Sequence, residues 1–188
     1  MPTSATRTRG APPAERAVHE TAVFGANEQR DLDIDVERWL RLARLVLTEE
    51  RVLGEVELSV LFVDEPTIAD LNARYLGGDG PTDVLAFPID DDLPPGRQPD
   101  QGGRGPGAPA GESDEPPTLL GDVVVCPAVA HRQARERGVA LDAEVALLVV
   151  HGVLHLLEYD HAEPEERLVM ERRQGELLAR FRELEERG

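Results

Sequence analysis

Apolar residues recur at three- and four-residue steps from Val36 to Thr48. Val36, Trp39, Leu40, Ala43, Val46 and Leu47 fall on one side, the period of an amphipathic helix. Asp33 or Asp35 can cap its start. Val56 to Val63 alternates and then turns continuously apolar, as a half-buried strand does. Glu65-Pro66-Thr67 opens a second helix that runs through Leu71 and Tyr75, with Pro66 at its first position. A Gly-rich turn (77–81) leads to a short strand at 83–87, ended by Pro88. Leu119 to Cys126 carries three consecutive valines, the pattern of a central strand. Pro127 to Arg137 reads as a helix stopped by Gly138. Asp142 can cap a very apolar helix from Ala143 to Leu157, and a last helix runs from about Pro164 to Glu186. His19 to Phe24 has the residues of a short edge strand. Without a regular βαβ rhythm, the expected fold is α+β: one small mixed sheet of about four strands packed against several helices.

Composition adds boundaries to this picture. The chain has 188 residues, which suits one domain of ordinary size. Residues 1–18 have no apolar period and read as a disordered tail. Residues 89–118 are rich in Pro and Gly and hold seven acidic residues against two arginines, so they read as an acidic loop inserted into a domain spanning 19–188. The formal charge is −17, and every basic residue is arginine. That balance argues against binding a polyphosphate by bulk charge, so a nucleic-acid role needs a local basic patch. Arg38, Arg41 and Arg44 on the first helix, and Arg132 and Arg135 on the third, are two such stripes; each is equally a solvated helix face. No apolar run approaches 18 residues, and the arginines of the first ten residues precede no apolar stretch, so neither a membrane span nor a signal peptide is expected. One cysteine, Cys126, allows no internal disulfide. The expectation is a cytoplasmic protein.

Three of the five histidines, His151, His155 and His161, lie within eleven residues. His151 and His155 are four apart on the apolar helix, about 6 Å along its axis and about 40° around it, so both rings leave one face and can reach one ion. His161 lies past the helix end, and a turn at 158–160 can bring it back as a third ligand. Three protein ligands leave one tetrahedral position for water, the pattern of a catalytic rather than a structural zinc. Asp160, or Asp122 and Asp83 if folded nearby, can orient an imidazole. The alternative is that each ring packs and bonds independently, but imidazoles buried on so apolar a helix are costly without a partner. The zinc-protease signature places a glutamate after the first histidine as general base; Gly152 stands there instead. That glycine either opens space beside a metal or packs the helix closely.

At these residues, His151-Gly152-Val153-Leu154-His155-Leu156-Leu157-Glu158-Tyr159-Asp160-His161, the chain resembles the YbeY family of bacterial endoribonucleases. The family signature is His-Gly-x-Leu-His-Leu-x-Gly-Tyr-Asp-His, and all but one specified position match. Two more blocks resemble it in the same order: Leu71-Asn72 and Tyr75 followed by 81–88, and Leu120 to Cys126. The resemblance covers roughly residues 32–186. It implies an α+β fold, one Zn2+ per chain held by His151, His155 and His161, and metal-dependent cleavage of single-stranded RNA. It further implies work on rRNA, in 16S 3′-end maturation and ribosome quality control, with the ribosomal small subunit or its proteins as partners and no DNA. Arg74, Thr82 and Asp83 are candidates to line the substrate cleft, Thr82 and Asp83 being equally readable as turn caps.

Two departures from the family pattern matter. Glu158 replaces a glycine that looks like a helix C′ residue of positive φ; a glutamate kept in that geometry costs about 1 kcal/mol. Leu76 stands where many members carry an arginine, so any phosphate clamp comes from elsewhere, for instance Arg74. Tyr159 can stack on a base or join the core, and Cys126 reads as a buried strand residue. Two other functions fit parts of the sequence: a ribosome-assembly binding factor with a structural or weakly catalytic zinc, and a metalloprotease or other zinc hydrolase. Gly152 counts against the protease.

Overall fold

The computed structural model describes residues 21–52, 54–89, 118–160 and 163–188. The expected tail at 1–18, nearly all of the acidic segment and His161 lie outside the described residues.

Strand β2 (Val56–Phe62) alternates strictly: Val56, Leu58, Val60 and Phe62 are buried while Glu57, Ser59 and Leu61 face the other side. Strand β1 (Ala22–Asn27) runs parallel to it, and β4 (Thr118–Val125) pairs parallel on its other flank. Strand β3 (Val84–Pro88) adds antiparallel to β4. The order is β1-β2-β4-β3, so β4 is an inner strand, as its valine run implies. The first strand lies a little later in the chain than the His19–Phe24 expected, with Val23 its one buried residue. A register shift in β4 puts Leu119 opposite Glu57 and Gly121 opposite Leu58. Gly121 has φ 141°, and a Cβ there would sit 2.2 Å from the Phe87 carbonyl oxygen, so only glycine fits this approach.

Helices α1 (Val36–Glu49), α4 (Leu141–Leu156) and α5 (Pro164–Arg187) bury their apolar sides with β1, β2 and β4 in the main core. Asp35 caps α1 by accepting from the Arg38 amide at 3.1 Å. Helix α2 (Glu65–Leu71) and α3 (Pro127–Arg137) close a second apolar cluster around Ile68, Leu85, Val124 and Val129. The segment expected to be helical as far as Tyr75 is so, but its last turn, Asn72–Leu76, widens to a π-helix before Gly77. Helix α3 ends at Gly138, φ 69°, as its sequence predicts.

Helix α4 begins two residues earlier than expected. Ala140, not Asp142, is its N-cap. Asp142 sits in the first turn, where a carboxylate suits the helix dipole, and its side chain meets Arg38. Because α4 lies between the sheet and three other helices, it is apolar almost all round. Gly152 sets its distance from the sheet: a Cβ there would lie 2.5 Å from Cγ1 of Val123. Of the two readings of this glycine, close packing is the one the structure bears out. Among the described residues no single helix is long and apolar enough to cross a membrane.

Candidate metal centre

Helix α4 carries His151 and His155 one turn apart, and both rings are half-buried. Their Nε2 atoms stand 3.0 Å from each other, with ring centroids 4.5 Å apart and planes at 83°. Nδ1 of His151 lies 2.8 Å from the amide oxygen of Gln174 on α5. With that carbonyl oxygen accepting, His151 would carry its proton on Nδ1 and present a lone pair at Nε2. Two imidazoles on one tetrahedral zinc at about 2.0–2.1 Å have nitrogens roughly 3.3 Å apart. The observed spacing is within a few tenths of an ångström of that value, so these two rings fit two ligand positions of one cation.

The turn after α4 leads towards the third candidate. The Glu158 amide donates to the His155 carbonyl at 3.0 Å, and the Tyr159 amide to the Leu154 carbonyl at 3.0 Å. These two bonds form a Schellman cap. Glu158 takes the left-handed conformation, φ 65°, that the sequence implies for this position. The backbone geometry is therefore kept with a glutamate in place, and its strain is the expected one. His161 lies outside the described residues, and among the described residues no group of three His, Cys, Asp or Glu side chains is arranged to hold a metal.

The group that orients a histidine ring is Gln174, which sequence reasoning missed. Met170, Gln174, Leu177 and Phe181 form the buried side of α5 at four- and three-residue steps. One amide inside an otherwise apolar stripe was the available signal. Asp83, considered for this role, is engaged elsewhere. Its carboxylate accepts from the Val84 amide at 2.8 Å, the Thr82 hydroxyl at 3.1 Å and the Gln133 side-chain amide at 3.0 Å. Thr82 and Asp83 thus lock the entry of β3 to α3. Cys126 is fully buried at the end of β4, and burial pushes its thiol pKa up.

One arginine of each face, and others near them, pair with carboxylates. Arg38 pairs with Asp142 and Glu185, Arg132 with Glu65, and Arg137 with Glu144. Arg74 stands out from the π-helical turn and pairs with Asp70 at 2.9 Å. Arg44 donates to the Val23 carbonyl at 3.1 Å and so ties α1 to β1. Tyr159 packs against the main core, and its hydroxyl donates to Glu50 at 2.8 Å. Burial, then that bond, raises its pKa. Beside the end of α4 opens a cleft of about 790 Å³, lined by Leu157, Tyr159 and Val169 and by the acidic Glu158, Asp160, Glu165 and Glu166.

The family model described as Endoribonuclease YbeY matches residues 25–182. Proteins named Endoribonuclease YbeY from Salinispora tropica and Thermobifida fusca are 50% and 48% identical to this chain. Each alignment covers 84% of this chain, and respectively 94% and 92% of the relative. A third, from Frankia casuarinae, is 48% identical over 84% of this chain and 73% of its own length. A solution structure from Thermotoga maritima matches with a TM-score of 0.51 and 25% identity, covering 86% of this chain and 89% of its own. A family match across residues 25–182, with relatives about half identical over most of the chain, leads to one assignment: this chain belongs to the YbeY endoribonuclease family.

Proposed function

We propose that this chain is a metal-dependent endoribonuclease that cleaves single-stranded RNA. Its place is in rRNA maturation at the 16S 3′ end and in ribosome quality control, in the cytoplasm and in contact with the small ribosomal subunit. His151, His155 and His161 would hold one Zn2+. The observation that carries this reading is the convergence of the His151 and His155 Nε2 atoms at 3.0 Å, with Gln174 fixing the tautomer of one ring.

The bound cation would supply Lewis acidity towards water and the phosphodiester oxygens. The chain supplies orientation. Gln174 holds the proton of His151 on Nδ1 and keeps the ring turned towards His155. Gly152 lets α4 lie close on Val123, which fixes the helix that carries both rings. Hydrolysis adds the water oxygen to phosphorus and releases the ribose oxygen, which takes up a proton. Gly152 at the position of the zinc-protease base counts against peptide cleavage.

The pairing of Arg38, Arg74, Arg132 and Arg137 with carboxylates favours a second reading, an assembly factor that binds pre-ribosomal particles with little turnover. Digests of single-stranded RNA, double-stranded RNA and casein by zinc-loaded protein separate these readings. The nuclease reading predicts cleavage of single-stranded RNA alone, lost in His155→Ala. Particle binding that persists in His151→Ala, with no RNA cleavage by the wild type, supports the assembly factor instead.

A further inference from the structure

The chain has one Trp, two Tyr and four Phe, and these rings divide into two groups. Trp39, Phe62 and Phe181 are buried, and Tyr159 packs against the main core. Phe24 and Tyr75 are instead 55% and 66% exposed, and Phe87 is half-buried. Exposed rings add little to the fold, because little of their surface leaves water.

The strand register places the second group together. Phe24 stands opposite Ser59, Ser59 opposite Asp122, and Asp122 opposite Phe87. These four residues form one row across β1, β2, β4 and β3. Their neighbours Val23, Leu58, Val60 and Val123 point into the main core, so the row faces away from it. The adjacent row on that side, Leu61-Val124-Leu85, is the one that α2 and α3 cover. Three strand spacings put Phe24 and Phe87 about 14 Å apart. Tyr75 continues the row outwards, its ring centroid 5.2 Å from that of Phe87 at 65°. The π-helical turn that carries Tyr75 is held at both ends. The Gly78 amide donates to the Asn72 carbonyl at 3.2 Å, and the Asn72 side-chain amide donates to the Gly80 carbonyl at 3.0 Å.

We infer that this sheet face binds the bases of single-stranded RNA, with Phe24, Phe87 and Tyr75 as stacking residues. The inference rests on the endoribonuclease reading above. Unpaired bases present flat π-faces and amino groups, and a four-stranded sheet bearing exposed rings stacks two or three bases in this way. Asp122, in the middle of the row, disfavours a phosphate beside it and can accept from a base amino group. The RNA therefore lies with its bases on the sheet and its phosphates outward. The row also ends near the histidine helix. A Cβ on Gly121 would meet the Phe87 carbonyl, Cα of Pro88 and Cδ2 of Leu156, the residue after His155. Strand β3 is the edge strand there, so RNA laid over the row passes round that edge towards α4.

The test uses full-length, zinc-loaded protein and a fluorescein-labelled single-stranded oligoribonucleotide. Phe24→Ala and Tyr75→Ala change mostly exposed side chains, so neither should move the thermal midpoint. Each should raise KM by about 5-fold or more with kcat little changed, the lower end of what one base stacked on a ring contributes. The factor should be the same at low and high salt, because the contact is to bases and not to phosphates. Tyr75→Phe keeps the ring and should retain the wild-type KM. A second readout needs no cleavage. An oligoribonucleotide carrying 5-bromouridine, irradiated with the protein, should crosslink to the peptides that hold Phe24, Tyr75 or Phe87. RNA cleavage by the wild type, with KM unchanged in either alanine variant or crosslinks only elsewhere, overturns the inference and leaves the nuclease reading standing. A KM effect that shrinks as salt rises, or that Tyr75→Phe shares, also overturns it. Binding of fluorescein-labelled nona-arginine that both alanine variants abolish, with KM for RNA unchanged, gives the face to a basic protein partner instead. Wild-type protein that neither cleaves nor crosslinks to single-stranded RNA removes the nuclease reading and the inference with it.

Discussion

The amide oxygen of Gln174 lies 2.8 Å from Nδ1 of His151, across 23 residues of sequence. A neutral acceptor there sets the tautomer without adding charge. Gln174→Leu should leave the fold intact, because the position faces an apolar stripe, yet weaken zinc binding by about 10–100-fold. Gln174→Glu should tighten it, since a carboxylate raises the basicity of the ring. Competition titration with a chelator of known affinity measures both.

Gly152 is the contact point of the histidine helix with the sheet. Gly152→Ala places a methyl group 2.5 Å from Cγ1 of Val123 and should destabilise the protein by about 1–3 kcal/mol. Val123→Ala in the same chain should relieve part of that overlap. Urea unfolding of the two singles and the double gives the coupling; strict additivity would mean that α4 does not press on β4 at this point.

Glu158 occupies a left-handed backbone position at φ 65°. Glu158→Gly should raise the stability of the metal-free protein by about 0.5–1 kcal/mol by removing the Cβ strain. A thermal midpoint that falls in this variant would show that the glutamate side chain contributes more than its backbone costs.

The ion pairs of Arg38 give a pH signature. Its hydrogen bond holds the Glu185 carboxyl below the ordinary glutamate range. A carboxylate whose folded pKa is depressed stabilises the fold above its unfolded pKa, and that stabilisation disappears as pH falls through the folded value. Glu185→Gln should therefore cost stability at neutral pH and cost nothing once pH is well below the carboxylate range. The pair is partly exposed, so the neutral-pH effect should be about 0.2–1 kcal/mol after solvent screening. Denaturant midpoints across acidic to neutral pH measure it.

Much of this fold is legible in the sequence where local chemistry decides it. Gly138 stops α3, Asp35 caps α1, and the alternation of Val56 to Phe62 sets β2. The His151 and His155 pair follows from helical spacing alone. Contacts between distant segments are not written locally. Asp142 lies in the first turn of α4 rather than at its N-cap, and its carboxylate meets Arg38, about a hundred residues earlier. Arg38 and Arg132 read as parts of open basic faces until folding brings Glu185 and Glu65 against them. Gln174 meets His151, and Arg173 meets Glu50, only once α5 packs against α4 and α1.

Metal analysis of purified, zinc-replete protein tests the centre most directly, wild type beside His155→Ala. One tightly held zinc per chain is expected in the wild type, and loss of that zinc in the variant. Zinc retained at full stoichiometry by His155→Ala, or no stoichiometric cation in the wild type, would contradict it.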